Sequence, residues 1–137
     1  MGVVLDSGVV IAAERRGHNV LQMLKEIAAV AGDQRAVISS VGLTELVHGI
    51  YRADTTQTRG RREAFINELL EDVEVYSYTR ETAFLAGRID GEQRARGEII
   101  PFVDLLIGAT ALQFGYSIAT VNVRHFALIP ALSILKV

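Results

Sequence analysis

The chain has 137 residues, half of them hydrophobic and 22% charged, with a formal net charge of −2, 12 Gly, 2 Pro and no Cys or Trp. That suits one domain with one core, and it excludes a disordered or collagen-like chain. The missing Cys removes disulfide scaffolds, thiolate zinc sites, iron–sulfur clusters and cysteine nucleophiles together.

The N-terminus, MGVVLDSGVVIAAERR, has no basic leader, and Asp6 interrupts its apolar run, so a secretory signal is not expected. No apolar stretch approaches the ~18 residues of a membrane span, which points to a cytoplasmic protein with no membrane partner. Short β-branched runs recur along the chain: Val3 to Leu5, Ala36 to Ile38, Val73 to Tyr76, Ile118 to Val121 and Ile134 to Val137. Between them lie helical patterns. Leu21, Leu24, Ile27, Ala28 and Ala31 mark one helix face, and Phe65, Ile66, Leu69 and Leu70 another. The polar, arginine-rich segment from Arg52 to Arg62 reads as a loop running into that second helix. Thr79 is placed to cap a helix running to Gly97, and Gly115 to end one beginning near Val103. Strands alternating with helices imply βαβ crossovers. The expected fold is therefore a single α/β domain over residues 1–137, with about five mainly parallel strands and helices on both faces.

In such a sheet, ligands bind beyond the carboxyl ends of the strands, where strand order reverses. Asp6 directly follows the first strand and Asn122 the fourth. Glu45 lies in the apolar stretch VGLTELVHGI, and Asp104 precedes the run LLIGATAL. Three acids meeting at one strand end would supply the oxygen ligands a hard divalent cation requires. Taken singly they have plainer readings: Asp6 and Asp104 as helix caps, Glu45 on the exposed face of an amphipathic helix, Asn122 as a turn former. His18, His48 and His125 lack metal-ligand spacing and read as surface or helix-face residues, with His48 placed to support Glu45 three residues away. Twelve of the 14 bases are Arg, the planar, bidentate reader of phosphate. The run Arg59, Arg61 and Arg62, opposed nearby only by Glu63, is the leading candidate for phosphate contact, with Arg124 beside the fourth strand. Tyr51 and Phe102 read as packing residues.

Together LDSGVVIA, SSVGLTELVHG, IPFVDLLIGATAL and ATVNVRHF closely resemble the PIN-domain nucleases, in particular the VapC-type toxins of bacterial toxin–antitoxin modules. The resemblance covers essentially the whole chain. It implies a three-layer α/β/α sandwich with a five-stranded, mainly parallel sheet, and a Mg²⁺- or Mn²⁺-dependent endoribonuclease site. By motif position, Asp6, Glu45 and Asp104 match the metal-holding acids, and Asn122 matches a fourth position that is Asp in many relatives. Ser7 and Thr120 match the small hydroxyl residues beside the first and fourth positions. Gly8 stands where the family often has Asn or Ser, and the neutral Asn122 leaves three charges, enough for one resident cation. The resemblance further implies a tRNA or rRNA substrate, a homodimer, and a VapB-type antitoxin covering the acidic site. The alternative is a PIN-like module of little or no activity that binds RNA or protein. Among rival folds, a haloacid-dehalogenase-like phosphatase needs a second Asp where Gly8 stands, and a dinucleotide module needs a Gly-rich turn after the first strand.

Overall fold

The computed structural model describes residues 1–137. In chain order the elements are β1 (Gly2–Leu5), α1 (Ser7–Arg15), α2 (Val20–Ala31), β2 (Arg35–Ser39), α3 (Ser40–Tyr51), α4 (Thr56–Asp72), β3 (Glu74–Tyr76), α5 (Arg80–Ala95), α6 (Phe102–Gln113), β4 (Ser117–Thr120), α7 (Val123–Phe126) and β5 (Ile134–Lys136).

All five strands are parallel, in the order β3-β2-β1-β4-β5. The central strand β1 is the most apolar, as a strand covered on both faces must be. Alternation of side chains divides it between two cores. Val3 and Leu5 pack with Ile38, Ala119 and residues of α1 to α4, whereas Val4 packs with Val37, Ile118 and residues of α5 to α7. The result is the expected α/β/α sandwich.

Turn and cap chemistry closes the elements. Thr79 caps α5 in a reciprocal pair with Thr82, and Gly97 and Gly115 take the positive φ that follows a helix end. One expectation needs correcting. Most of the segment from Arg52 to Arg62 is helical, because Thr55 accepts a hydrogen bond from the Thr58 N–H at 3.0 Å and starts α4 at Thr56. Its polarity reflects the exposed face of that helix, since the buried residues Phe65, Ile66 and Leu69 begin only after two turns.

The topology also determines where a site can form. From β1 the chain moves outward through β2 to β3, then returns through α5 and α6 to lay β4 on the other side of β1. Strand order therefore reverses between β1 and β4, whose carboxyl ends lead into Asp6 and Asn122.

Candidate active site

Asp6 occupies the N-cap position of α1, but its side chain does not cap the helix. Its backbone N–H donates to the Ala119 carbonyl across the β1–β4 pair, and Thr120 Oγ1 donates to Asp6 Oδ2 at 2.9 Å. Thr120 is wholly buried at the end of β4 and also accepts the Asn122 N–H at 2.8 Å. One hydroxyl thus fixes both the acid after β1 and the turn after β4.

Glu45 projects from α3, whose start is held by Ser39 at the end of β2. Ser7 Oγ, on the first residue of α1, donates to Glu45 Oε1 at 2.6 Å. Asp104 lies in the first turn of α6, where the helix dipole favours a carboxylate; the N-cap is Pro101, so Asp104 is not itself the cap. His125 Nδ1 lies 2.6 Å from Asp104 Oδ2 and 2.8 Å from Asn122 Nδ2. Each of the three acids therefore has one hydroxyl or imidazole partner at the reversal point.

Burial raises the Asp6 pKa from 3.8 to about 6; the Thr120 bond opposes the rise, and the charges of Asp104 and Glu45 add to it. The three carboxylates are thus near enough to repel one another through a poorly solvated site. The donor set is entirely oxygen, as a hard divalent cation prefers. As the side chains stand, however, no three acidic or imidazole groups are drawn tightly enough together to share an ion. Glu45 is turned to Ser7 and Asp104 to His125. The residues fit a cation in chemistry and charge: Glu45 bonds Ser7 through Oε1 and Asp104 meets His125 through Oδ2, so each keeps a second oxygen to offer an ion once the three acids draw together.

Sequence patterning did not identify His125 as part of this site. Its partner Asp104 is 21 residues away on another element, and a histidine without metal-ligand spacing carries no local signal. His48 is exposed and makes no hydrogen bond with Glu45, whose partner is Ser7.

A groove of about 380 Å³ leads away from Glu45 between α1, α3 and α4, lined by Ile11, Leu46 and Phe65 together with Glu14, Arg15, Arg52 and Arg62. The arginine run divides. Arg62 Nη1 donates to the Gly49 carbonyl at 2.6 Å, Arg61 pairs at 3.5 Å with the largely buried Glu14, and Arg59 lies over the Tyr51 ring, 5.8 Å from its centroid. Glu14 therefore opposes this run as well as Glu63, and Arg62 serves partly to join α4 to α3. Arg124 is exposed on α7. Tyr51 and Phe102 are 69% and 68% exposed, so neither is a packing residue.

The chain is 31% identical over 137 residues to Ribonuclease VapC1 of Rickettsia felis and 31% identical over 137 residues to Ribonuclease VapC of Rickettsia bellii, covering all of this chain and 97% of each relative. Its fold matches the crystal structure of VapBC2 from Rickettsia felis bound to a DNA fragment from their promoter, with a TM-score of 0.86 at 22% identity over 100% of this chain and 99% of that one. DNA-bound VapBC from Salmonella typhimurium matches with a TM-score of 0.83 at 23% identity, over 99% and 98% of the respective chains. Residues 3–131 match the PIN domain, which takes in β1 from Val3 onward, every element from α1 to α7 and all three acids. The chain belongs to the PIN domain family.

Proposed function

We propose that the protein is a Mg²⁺- or Mn²⁺-dependent endoribonuclease, the toxin of a type II toxin–antitoxin pair, which cuts tRNA or rRNA in the cytoplasm and so inhibits translation. The observation that carries this reading is the meeting of Asp6, Glu45 and Asp104 at the β1–β4 reversal point, each with its own protein partner. The similarity to VapC ribonucleases supports the choice of RNA as substrate. No helix is long and apolar enough to cross a membrane.

Asp6, Glu45 and Asp104 hold the cation in this reading. When bound, it neutralises charge on the scissile phosphate and makes water a better nucleophile. The chain's own groups do the positioning. Thr120 fixes Asp6 by donating to it, Ser7 fixes Glu45, and Asn122 joins the turn after β4 to both Thr120 and His125. Arg15 and Arg52 along the groove, together with Arg59 and Arg124, contact backbone phosphates, whereas Arg61 and Arg62 are partly committed within the protein. Exposed Tyr51 and Phe102 offer faces on which unpaired bases stack. In-line attack by water leaves a 5′-phosphate and a 3′-hydroxyl.

The partner is a VapB-type antitoxin whose segment covers the site and places an arginine among the acids, since a concentrated negative site suits a guanidinium. The solved VapBC assemblies of similar fold support that partner. A homodimer completes the reading, with exposed Phe84 of α5 supplying apolar surface for it. The alternative, a binding module without activity, draws on the spacing of the acids, no three of which stand close enough to share an ion.

The test is incubation of antitoxin-free protein with tRNA, rRNA fragments and unstructured RNA in Mg²⁺, Mn²⁺ or EDTA, alongside Asp104→Asn. Cleavage is expected only with metal. Asp104→Asn should lose more than the roughly 10–100-fold that removal of an outer partner of a metal ligand costs. Cleavage that persists in EDTA overturns the metal-dependent reading. Metal-loaded wild-type protein that binds RNA without cutting it establishes the alternative.

A further inference from the structure

Asp6, Thr120, Asn122, His125 and Asp104 form one continuous hydrogen-bonded line across the site. His125 is the member without an assigned task, and its place is well determined. It sits on the single turn α7, anchored by wholly buried Phe126, whose ring packs below α6 near Gly108. The backbone on either side is tied down by Ala127 N–H to Val123 O and Ile129 N–H to Phe126 O.

Both short contacts of His125 are made by the same atom, Nδ1, at 2.6 Å from Asp104 Oδ2 and 2.8 Å from the Asn122 amide. One ring nitrogen cannot donate to one neighbour and accept from the other with the same proton. An ionised carboxylate only accepts, so the proton belongs on Nδ1 and points at Asp104. The Asn122 amide then turns its oxygen toward Nδ1, an exchange of O and N that leaves the side chain's shape unchanged. In the neutral ring this leaves the lone pair on Nε2 of a side chain that is partly exposed.

We propose that His125 is a positioning residue for Asp104, holding Oδ2 through Nδ1–H so that Oδ1 is the oxygen Asp104 presents to the cation. The assignment rests on the metal-dependent reading of the site only for its last step; the Nδ1–H tautomer and its bond to Asp104 stand on this geometry alone. His125 is thus to Asp104 what Ser7 is to Glu45 and Thr120 to Asp6. An outer partner of this kind fixes the orientation of a ligand.

Two isosteres separate positioning from direct ligation. The amide nitrogen of Asn falls near the place of Nδ1, and that of Gln near the place of Nε2. Mn²⁺ affinity is measured by calorimetry on the full-length, antitoxin-free protein and on H125A, H125N and H125Q, with D6N as the control for site binding. H125A and H125Q are expected to weaken Mn²⁺ binding about 10–100-fold, and H125N to stay within about threefold of wild type. Thermal unfolding in EDTA confirms that each variant folds. Unchanged affinity in H125A overturns the proposal, and so does rescue by Gln but not by Asn, which assigns the function to Nε2.

The second measurement needs no metal. Long-range ¹H–¹⁵N spectra at mildly alkaline pH should show His125 as the Nδ1–H tautomer in wild type and shifted toward Nε2–H in D104N. An Nε2–H tautomer in the wild type overturns the proposal outright. If wild type binds no Mn²⁺ yet shows the Nδ1–H tautomer, the metal-dependent function fails and the proposed metal role of His125 falls with it, while the Asp104 clamp stands.

Discussion

Asp6 sits where a helix cap would sit, yet its carboxylate is directed to Thr120 in the sheet instead of to the N–H groups of α1. The fold accepts a cost for this. A carboxyl whose folded-state pKa is raised from 3.8 to about 6 binds more protons folded than unfolded between those values. Stability therefore falls as pH rises through that window, and the penalty is complete above it. In metal-free buffer Asp6→Asn keeps an oxygen for Thr120 and removes the charge. It should match wild type near pH 4 and exceed it by on the order of 2–3 kcal/mol at neutral pH, as measured by denaturant unfolding across pH. A difference that does not change with pH refutes the assignment. Asp6 singly reads as well as a helix cap, and it is legible as a site residue because it directly follows the first strand and is joined along the chain by the motifs of Glu45, Asp104 and Asn122. His125 is not, because its meaning depends on Asp104 arriving from another element.

The strands and the helix caps were legible for local reasons. Val3 to Leu5 and Ile118 to Val121 are short apolar runs, and Thr79 with Gly97 brackets one helix at both ends. The polar first turns of α4 were not, since their exposed face carries no hydrophobic period and the signal lay instead in the Thr55–Thr58 cap. Strand order was also out of reach, because β1 joins β4 only after more than a hundred intervening residues. Packing between elements makes its own prediction at two helical glycines. A Cβ on Gly108 of α6 would collide with Ile129 Cδ1 and crowd Leu132 and Phe126, whereas one on Gly91 of α5 would meet nothing within 4 Å. Gly108→Ala should cost about 1–3 kcal/mol through overpacking below the site. Gly91→Ala should gain roughly 0.5–1 kcal/mol from helix propensity. Chemical denaturation of the two variants checks the pair, and equal effects would mean that α6 is not closely fitted against the segment between α7 and β5.

Across the whole molecule, a net charge of −2 averages two unlike regions. Asp6, Glu45 and Asp104 gather at the reversal point, while Arg15 and Arg52 line the groove leading from it and Arg124 stands exposed on α7. A polyanion approaching this face meets attraction at the rim and repulsion at the centre. The balance should depend on what neutralises the centre. Each unit of negative charge removed within about 4 Å of a phosphate is worth roughly 1 kcal/mol in water, or about fivefold in affinity, and less at higher salt. In EDTA, the double variant Asp6→Asn, Asp104→Asn should therefore bind a fluorescent, non-cleavable RNA several-fold more tightly than wild type. Mn²⁺ should close that gap by raising wild-type affinity while leaving the double variant nearly unchanged. Removing Arg15 and Arg52 should weaken both proteins and flatten the dependence of affinity on salt, because phosphate contacts set that slope. Anisotropy measurements over a range of salt resolve all three effects. If wild type and double variant bind equally in EDTA, RNA does not pass over the acids at all, and the groove beyond Glu45 becomes the path to examine.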